Sequence, residues 1–534
     1  MLQQIAVIGR EFALELARHV IGVGEETLID QLSDLQRREF VYEQPGARQP
    51  AYEFKHALTQ DVAYRELPQE RRKLIHERTA EVIETLYVSH LDEHYAALAH
   101  HYTQSDNLAK AIAYLRLAGR QANQRSAAKD AVAYLEAALV AVARLPESAA
   151  RDQQEVDILI ELGIALQVAA GLSATRVKEI LLRAYALCRL TGAPHELFPV
   201  LAGLRANAGM RGESMLEYAE ALTALGTRTG DSAIILHAHV AMAFCHFGVG
   251  DWVSAREEFD HALATYCFEE HRDHTVTMGP DAAVLSHAFG SLCLWMLGYP
   301  DTALGSAREA SASAQRIGYP YMISFAKILL ADLCGFRGEI SASLTEATAA
   351  VHIADEYGFP EWIAFASPLA DWARGMQGDA NALSSIDEHL AIFGYIGATF
   401  YVPMLIALKA ELQARAGQFD HAIATATTAV TMAMETNQLW ILPELYRVRG
   451  ALLLAADPAA TEAAAQHFER ARSMAQDQRA KAWELRATTS LARLWQNQGK
   501  HQAARALLAP IYGWFTEGFE TRDLQEAKTL LEAR

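Results

Sequence analysis

The side chains best suited to hold a metal crowd into one stretch. His271, Arg272, Asp273 and His274 follow one another, with Cys267, Glu269, Glu270 and Asp281 close by. Two imidazoles and several carboxylates on one insertion suit Zn²⁺ or another divalent ion, so His271, Asp273 and His274 are the expected ligands. The competing reading is a solvated polar loop, because the pair His271 and His274 matches no strict ligand signature. Nucleophilic and acid–base chemistry has less to build on. No G-x-S-x-G elbow occurs to present a serine between strand and helix. Glu257-Glu258 and Glu269-Glu270 are sequence neighbours, so on a helix they diverge instead of sharing a proton. Phosphate binding fails a similar test: G-x-x-x-x-G-K-[ST] is absent, and Gly499-Lys500 is followed by His501. Without that loop there is no backbone cradle for phosphates. The chain is therefore expected to be no enzyme, neither hydrolysing ATP nor making cyclic nucleotide, and to need no cofactor.

The elements that must carry these residues are set by a repeat. Gly338, Gly378 and Gly417 recur at a nearly constant spacing, and Gly212, Gly250, Gly298 and Gly499 extend the ladder. A second series, Gly192, Gly230, Gly318, Gly358, Gly397 and Asn437, falls between them, with Pro194, Pro320 and Pro360 shortly behind three of its members. Gly or Asn just past a helix takes the left-handed conformation that ends it, and Pro cannot continue it. Two interleaved turn series thus predict stacked helical hairpins, each burying its apolar face against its neighbours. The interval from Gly250 to Gly298 is longer than the ladder requires, and the excess forms the loop holding the candidate metal ligands. Within each unit, small residues recur at fixed offsets: Ala243, Ala255, Phe259 and Ala262; Ser291, Ala303, Ala307 and Ala310; Ala331, Ser343, Ala347 and Ala350; Ala410, Ala422, Ala426 and Ala429. These positions resemble the tetratricopeptide pattern, although the period exceeds that family's usual ~34 residues. The analogy implies a right-handed superhelix over residues 91–534.

Composition agrees with a folded binding module. Apolar residues make up 51% and charged residues 21%, as in ordinary globular chains. A formal charge of −18, from 65 acids against 47 bases, argues against gripping nucleic acid. No apolar run approaches the ~20 residues of a membrane span, and Met1 to Glu11 lacks signal-peptide features; a cytoplasmic location without membrane contact is expected. Cys188, Cys245, Cys267, Cys293 and Cys334 are odd in number and dispersed, which suits reduced thiols acting as small core residues. The tryptophans, such as Trp252, Trp362 and Trp440, recur near helix ends and turns, where they are expected to fill gaps between hairpins, a few lining a concave peptide groove.

The stretch from residue 1 to 90 breaks the repeat. Glu11 to Val20 and Glu26 to Arg38 read as amphipathic helices, the second with Leu28, Leu32 and Leu35 on one stripe. Phe40 to Glu43 and Ala51 to Phe54 flank Pro45, Gly46 and Pro50, a hairpin signal. With the helix from Leu58 to Leu67 this predicts a small winged-helix-like domain over 1–90. Met1 to Arg78 carries 13 acids and 11 bases, a net of −2, so protein packing is favoured over DNA reading.

Three segments carry a more specific resemblance: Ala6-Val7-Ile8-Gly9-Arg10-Glu11-Phe12, Tyr52-Glu53-Phe54-Lys55-His56-Ala57-Leu58 leading to Ala63-Tyr64, and Leu507 through Phe519. They resemble bacterial multidomain signalling proteins similar to soluble class III adenylate or guanylate cyclases. Members of that family join a cyclase domain, a signal-transduction P-loop ATPase, a winged helix and a tetratricopeptide-like tail. The resemblance covers the last two parts only, and implies a carboxy-terminal fragment or truncated member. It implies a regulatory scaffold binding a protein or peptide, in touch with an ATPase or cyclase domain in cis or trans. By the same resemblance His56 is the candidate to sense nucleotide in trans; otherwise it is a histidine bonded within its own domain. Transcriptional regulation is a weaker alternative, since Phe519 to Arg534 reads as one short helix of mixed charge.

Overall fold

The computed structural model describes all residues except 45–48, 192–193, 273–279 and 534, and the side chains at 190 and 191. It divides into two compact units, Met1–Leu162 and Gly163–Arg534.

The first unit opens with α1 (Leu2–Ile8), β1 (Glu11–Ala13), α2 (Leu14–Ile21), α3 (Glu25–Arg37), β2 (Val41–Glu43), β3 (Ala51–Phe54) and α4 (Ala57–Arg65). The sheet order is β1-β3-β2, with β3 antiparallel to both neighbours. Glu11 to Ala13, expected as helix, forms an edge strand, and the helix begins only at Leu14. So short a segment carries too little periodicity to separate strand from helix, and the pairing Phe12↔Tyr52 is a long-range contact that local pattern cannot see. Helix α1 has no counterpart in the sequence reading. Its Ile5 joins Phe12, Leu28, Leu32 and Phe54 in one core. The expected stripe on α3 holds for Leu28 and Leu32, which are buried. Next come α5 (Gln69–Leu86), α6 (Tyr95–Thr103), α7 (Leu108–Gln124) and α8 (Ala128–Val142), each packing on the next. The helix α9 (Ala149–Ala170) carries the chain across the division. The expected boundary at residue 90 thus lies within the first unit.

The second unit is all-α and tetratricopeptide-like. After α10 (Thr175–Thr191) it runs as hairpins: α11 (Pro194–Met210) with α12 (Leu216–Thr229), and α13 (Ser232–Val249) with α14 (Trp252–Thr265). A short α15 (Phe268–His271) precedes α16 (Ala282–Met296) with α17 (Pro300–Ile317), α18 (Pro320–Arg337) with α19 (Ile340–Tyr357), and α20 (Pro360–Met376) with α21 (Ala382–Ile396). Then follow α22 (Val402–Arg415) with α23 (Phe419–Glu435), α24 (Leu442–Ala456) with α25 (Thr461–Asp477), α26 (Lys481–Asn497) with α27 (His501–Tyr512), and α28 (Arg522–Glu532). Among the described residues, both punctuation series do what the ladder requires. Gly338 ends α18 at φ 82° and Gly358 ends α19 at φ 71°, a region that costs an L side chain about 1–2 kcal/mol. Asn437 takes the same region at φ 52°. Pro194, Pro320 and Pro360 open the following helices, where a missing N–H costs nothing.

The recurrent small residues sit where paired helices touch. Ala331, Ser343, Ala347 and Ala350 are all fully buried, as are their equivalents in the other three sets. Larger side chains there would drive the helices apart. The first helix of each hairpin also packs on the first helix of the next, from α16 through α18, α20, α22 and α24 to α26. Helix α18 is accordingly buried around most of its circumference, whereas α19 buries one stripe of Ser343, Ala347, Ala350 and Ala354. Helix α13 is long and apolar enough to cross a membrane, contrary to the reading of the sequence. Here it packs against α12 and α14, with half of its apolar window buried.

Successive turns of this coil rest on one another. Glu361, at the start of α20, accepts hydrogen bonds from the Leu172 amide (2.7 Å) and from the amide (3.2 Å) and hydroxyl (2.9 Å) of Ser173. Glu517 accepts from the Asp301 and Thr302 amides at the open N-terminus of α17 (2.9 and 2.8 Å). Trp295 meets Trp483 edge-on at 4.8 Å. The orphan N–H groups that begin a helix are here partly satisfied by the next turn of the coil.

Candidate binding chamber

The inner layer of first helices lines two spaces that share Asp332 in their walls. One is apolar, about 90 Å³, and lined from α11, α13, α16, α18 and α20 together with Phe400 and Tyr401. Its aromatic wall is continuous: Phe244 meets Phe289 at 4.7 Å, Phe289 meets Phe325 at 6.0 Å, and Phe325 meets Trp362 at 5.4 Å. Each ring comes from a different hairpin, so the repeat places one aromatic per turn on the inner face.

Three polar groups interrupt that wall. The Arg205 guanidinium lies over the Phe244 ring, 5.0 Å from its centre, and among the described residues no carboxylate pairs with it. Burial pulls it down to about 10. Trp362 has a buried Nε1 without a hydrogen-bond partner among the described residues. Asp332, fully buried on α18, accepts from the Tyr401 hydroxyl, while its Oδ1 has no partner among the described residues. Burial pushes this carboxyl up to about 7 although Tyr401 favours its charged form. Tyr401 itself sits at φ 69°, in the left-handed region, with its amide tied to Gln438 Oε1 at 2.8 Å. Gln438 in turn donates to the Thr399 carbonyl and the Thr436 hydroxyl. A bulky residue held in that region is strained by about 1–3 kcal/mol, and from this backbone its hydroxyl donates to Asp332.

Asp332 also lines the second space, a cleft of about 340 Å³ running on along α20, α22, α24, α26 and α28. Here charges alternate. Arg486 donates to Asp523 (2.7 Å), Glu444 (3.0 Å) and the Phe336 carbonyl (2.6 Å). Its guanidinium lies 5.0 Å from Trp295 and 5.1 Å from Trp483. Arg447 forks onto Glu444 at 2.7 and 2.8 Å. Burial acts to raise the Glu444 carboxyl, but Arg447 and Arg486 outweigh it and hold it down to about 2. The two spaces together offer an apolar anchor site, an acid with a free oxygen at its mouth, and a polar trough beyond.

The residues singled out in the sequence lie elsewhere. His271 is buried, its Nδ1 accepting from the Cys267 amide at 2.9 Å beside Tyr266. Asp273 and His274 lie outside the described residues, as do Pro45, Gly46 and Gly192. His56 is exposed and precedes α4 without capping it. Trp252, Trp440 and Trp483 are wholly buried between hairpins, Trp362 and Trp372 line the two spaces, and Trp514 is half exposed. Cys293 and Cys334 are buried free thiols and Cys188 is buried, whereas Cys267 is exposed. Arg205 and Asp332 are absent from the sequence reading. The signal for Asp332 was a lone acid within the apolar run Ile328 to Cys334. Nothing local marked Arg205.

No protein-family model matches the chain. An uncharacterized protein of Rhizobium meliloti (strain 1021) is 24% identical over 497 residues, covering 92% of this chain and 48% of that protein. The chain thus spans about half the length of this relative. Among solved structures, a Rap protein complexed with competence and sporulation factor is similar over 71% of this chain and 99% of its own, at 14% identity and a TM-score of 0.48. A signal-transduction ATPase with a tetratricopeptide repeat sensor from Pyrococcus horikoshii is similar over 99% of this chain and 65% of its own, at 11% identity and a TM-score of 0.32.

Proposed function

We propose that the chain is a non-catalytic, cytoplasmic interaction scaffold that seats a peptide or protein segment inside the coil of its second unit. The observation that carries this reading is the unpartnered Oδ1 of buried Asp332 at the junction of the apolar chamber and the charged cleft. A buried polar atom left unpaired costs roughly 1–3 kcal/mol, and a bound ligand would recover it. Trp362 Nε1, also buried without a partner among the described residues, adds a donor with the same requirement, the half-buried Arg205 guanidinium lines the same space, and an apolar pocket with a few convergent polar groups is the usual form of a binding site.

The finer reading is a regulatory part of a signal-transduction ATPase or cyclase system, with occupancy of the coil passed to a catalytic domain in cis or trans. The resemblance of the three sequence segments favours it. So does the layout helix, strand, helix, helix, strand, strand at the start of the first unit, which we read as winged-helix-like. His56 stands exposed beside Leu58 and Val62, two apolar residues also left exposed on α4, and this face is our candidate for contact with such a domain and its nucleotide.

Selection of peptides on the purified chain, followed by calorimetric titration of the winners, tests the main reading. Binding should weaken at least tenfold in both Asp332→Asn and Arg205→Met. Peptides that bind these variants as tightly as the parent chain would place the interaction elsewhere. Cyclic nucleotide formation or ATP turnover by the isolated chain would overturn the non-catalytic part.

A further inference from the structure

Away from the chamber, three histidines of the first unit face one another. His76 comes from α5, and His100 and His101 from α6; one nitrogen of each lies within 4.8 Å of the other two. The Nδ1 atoms of His76 and His101 are 2.9 Å apart. The outer nitrogen of His76 is already held, with the Tyr64 hydroxyl 3.0 Å from Nε2, and the backbone of Ile8 at the end of α1 is a hydrogen-bonding neighbour of the His101 ring. His76 and His101 are buried, while His100 is open to solvent.

We propose that His76, His100 and His101 form a binding site for one divalent transition-metal ion, Zn²⁺ fitting best. The two inward Nδ1 atoms and one ring nitrogen of His100 would be the ligands, with water at the fourth position. Zinc–nitrogen bonds of about 2.0–2.1 Å in a tetrahedron put ligand nitrogens roughly 3.3 Å apart. The His76–His101 pair needs to open only slightly, and the exposed His100 ring is free to close the remaining gap. An all-imidazole donor set suits zinc, copper or nickel and is wrong for calcium or magnesium, which demand oxygen.

The surroundings argue for a metal more strongly than the cluster alone. Ligating histidines almost always give their other N–H to a carbonyl or another oxygen, which fixes the tautomer and aims the free nitrogen at the ion. Ile8 and Tyr64 stand where that requires. With a His101 N–H given to Ile8, the hydrogen bonds of the empty site run from Tyr64 through His76 to His101. Loading would move the His76 proton from Nδ1 to Nε2, where the Tyr64 oxygen accepts it, so both rings stay neutral while the Tyr64 hydroxyl turns its own proton away from His76. The ion would tie α1, α4, α5 and α6 together, and so couple metal occupancy to the stability of the first unit.

The test uses the untagged full chain, stripped with chelator and titrated with Zn²⁺ alone against a chromophoric competitor. One equivalent should bind, Co²⁺ should give the visible absorption of a tetrahedral nitrogen site, and the unfolding midpoint of the first unit should rise. His100→Ala, at an exposed position and checked for folding by circular dichroism, should lose at least 100-fold in affinity. Tyr64→Phe should lose about 10–100-fold, as supporting partners do. Failure of the parent chain to bind at micromolar free Zn²⁺ overturns the proposal. So does equal binding by His100→Ala, which would assign the ion to another part of the chain such as the loop containing His271.

Discussion

Glu361 caps Ser173 from a distant part of the chain: one buried carboxylate takes the Ser173 amide, the Ser173 hydroxyl and the preceding Leu172 amide. The Ser173 hydroxyl also lies 2.9 Å from the Ile396 carbonyl, so its one proton is shared between two acceptors and three separate segments meet at one side chain. A coil of hairpins could in principle flex like a spring, each unit touching only its neighbours. This contact removes that freedom, because the stretch of chain before α10 is bonded to a hairpin a full winding later.

The first prediction concerns that cap. Glu361→Ala leaves two buried amides without acceptors and should cost about 2–4 kcal/mol. Glu361→Gln, which keeps one accepting oxygen, should cost less. Denaturant midpoints of the three proteins check the order. Equal stability of Glu361→Ala and the parent would mean the windings do not depend on this bond.

A second prediction follows from Asp332, whose carboxyl burial raises from 3.8 to about 7. Between those values the folded state keeps a proton that the unfolded state has released. The contribution is therefore fully present below about pH 4 and is lost progressively as pH rises from there through about 7, at up to ~1.4 kcal/mol per pH unit. Stability measured from pH 4 to 8 should fall less steeply in Asp332→Asn than in the parent chain. Parallel curves would show that this acid ionises normally.

Two glycines with the same backbone separate strain from crowding. Gly338 (φ 82°) and Gly417 (φ 75°) are both left-handed, but an added Cβ at Gly338 would lie 2.6 Å from Arg522 Cβ, whereas Gly417 has open space. Gly417→Ala should cost about 1–2 kcal/mol. Gly338→Ala should cost more, because the start of α28 must also move. Thermal unfolding of the two variants side by side gives the comparison.

Arg205 offers a test of a stability cost borne for binding. A half-buried guanidinium held over Phe244, with no carboxylate partner among the described residues, is costly to desolvate, so Arg205→Met should leave the unfolding midpoint unchanged or raise stability, by up to ~2 kcal/mol. The same variant should weaken peptide binding. A loss of stability instead would make Arg205 a structural residue of the coil.

Much of the architecture was legible because its cues are local. Gly358 marks a helix end wherever it occurs, since a left-handed residue is needed there and Gly adopts it without strain; Ala347 and Ala350 mark a close helix crossing for an equally local reason. The hairpin of β2 and β3 was readable from its strand pattern. The strand Glu11–Ala13 was not, because its partner β3 lies beyond two intervening helices and β2. The candidate site was the harder part. Arg205, Asp332, Trp362 and Tyr401 come from four segments well separated along the chain, and the clustered His76, His100 and His101 are split between α5 and α6.

The sequence by itself determined the repeat, the ends of its helices and the small residues that let hairpins pack, since each depends on the conformational limits of one residue and its near neighbours. Only the tertiary structure decided what the coil encloses. The pitch that brings Glu361 to Ser173, and sets Asp332, Arg205 and Trp362 around one chamber, is the sum of many small rotations between hairpins. No single residue encodes that sum, so the chamber becomes visible only once every hairpin is in place.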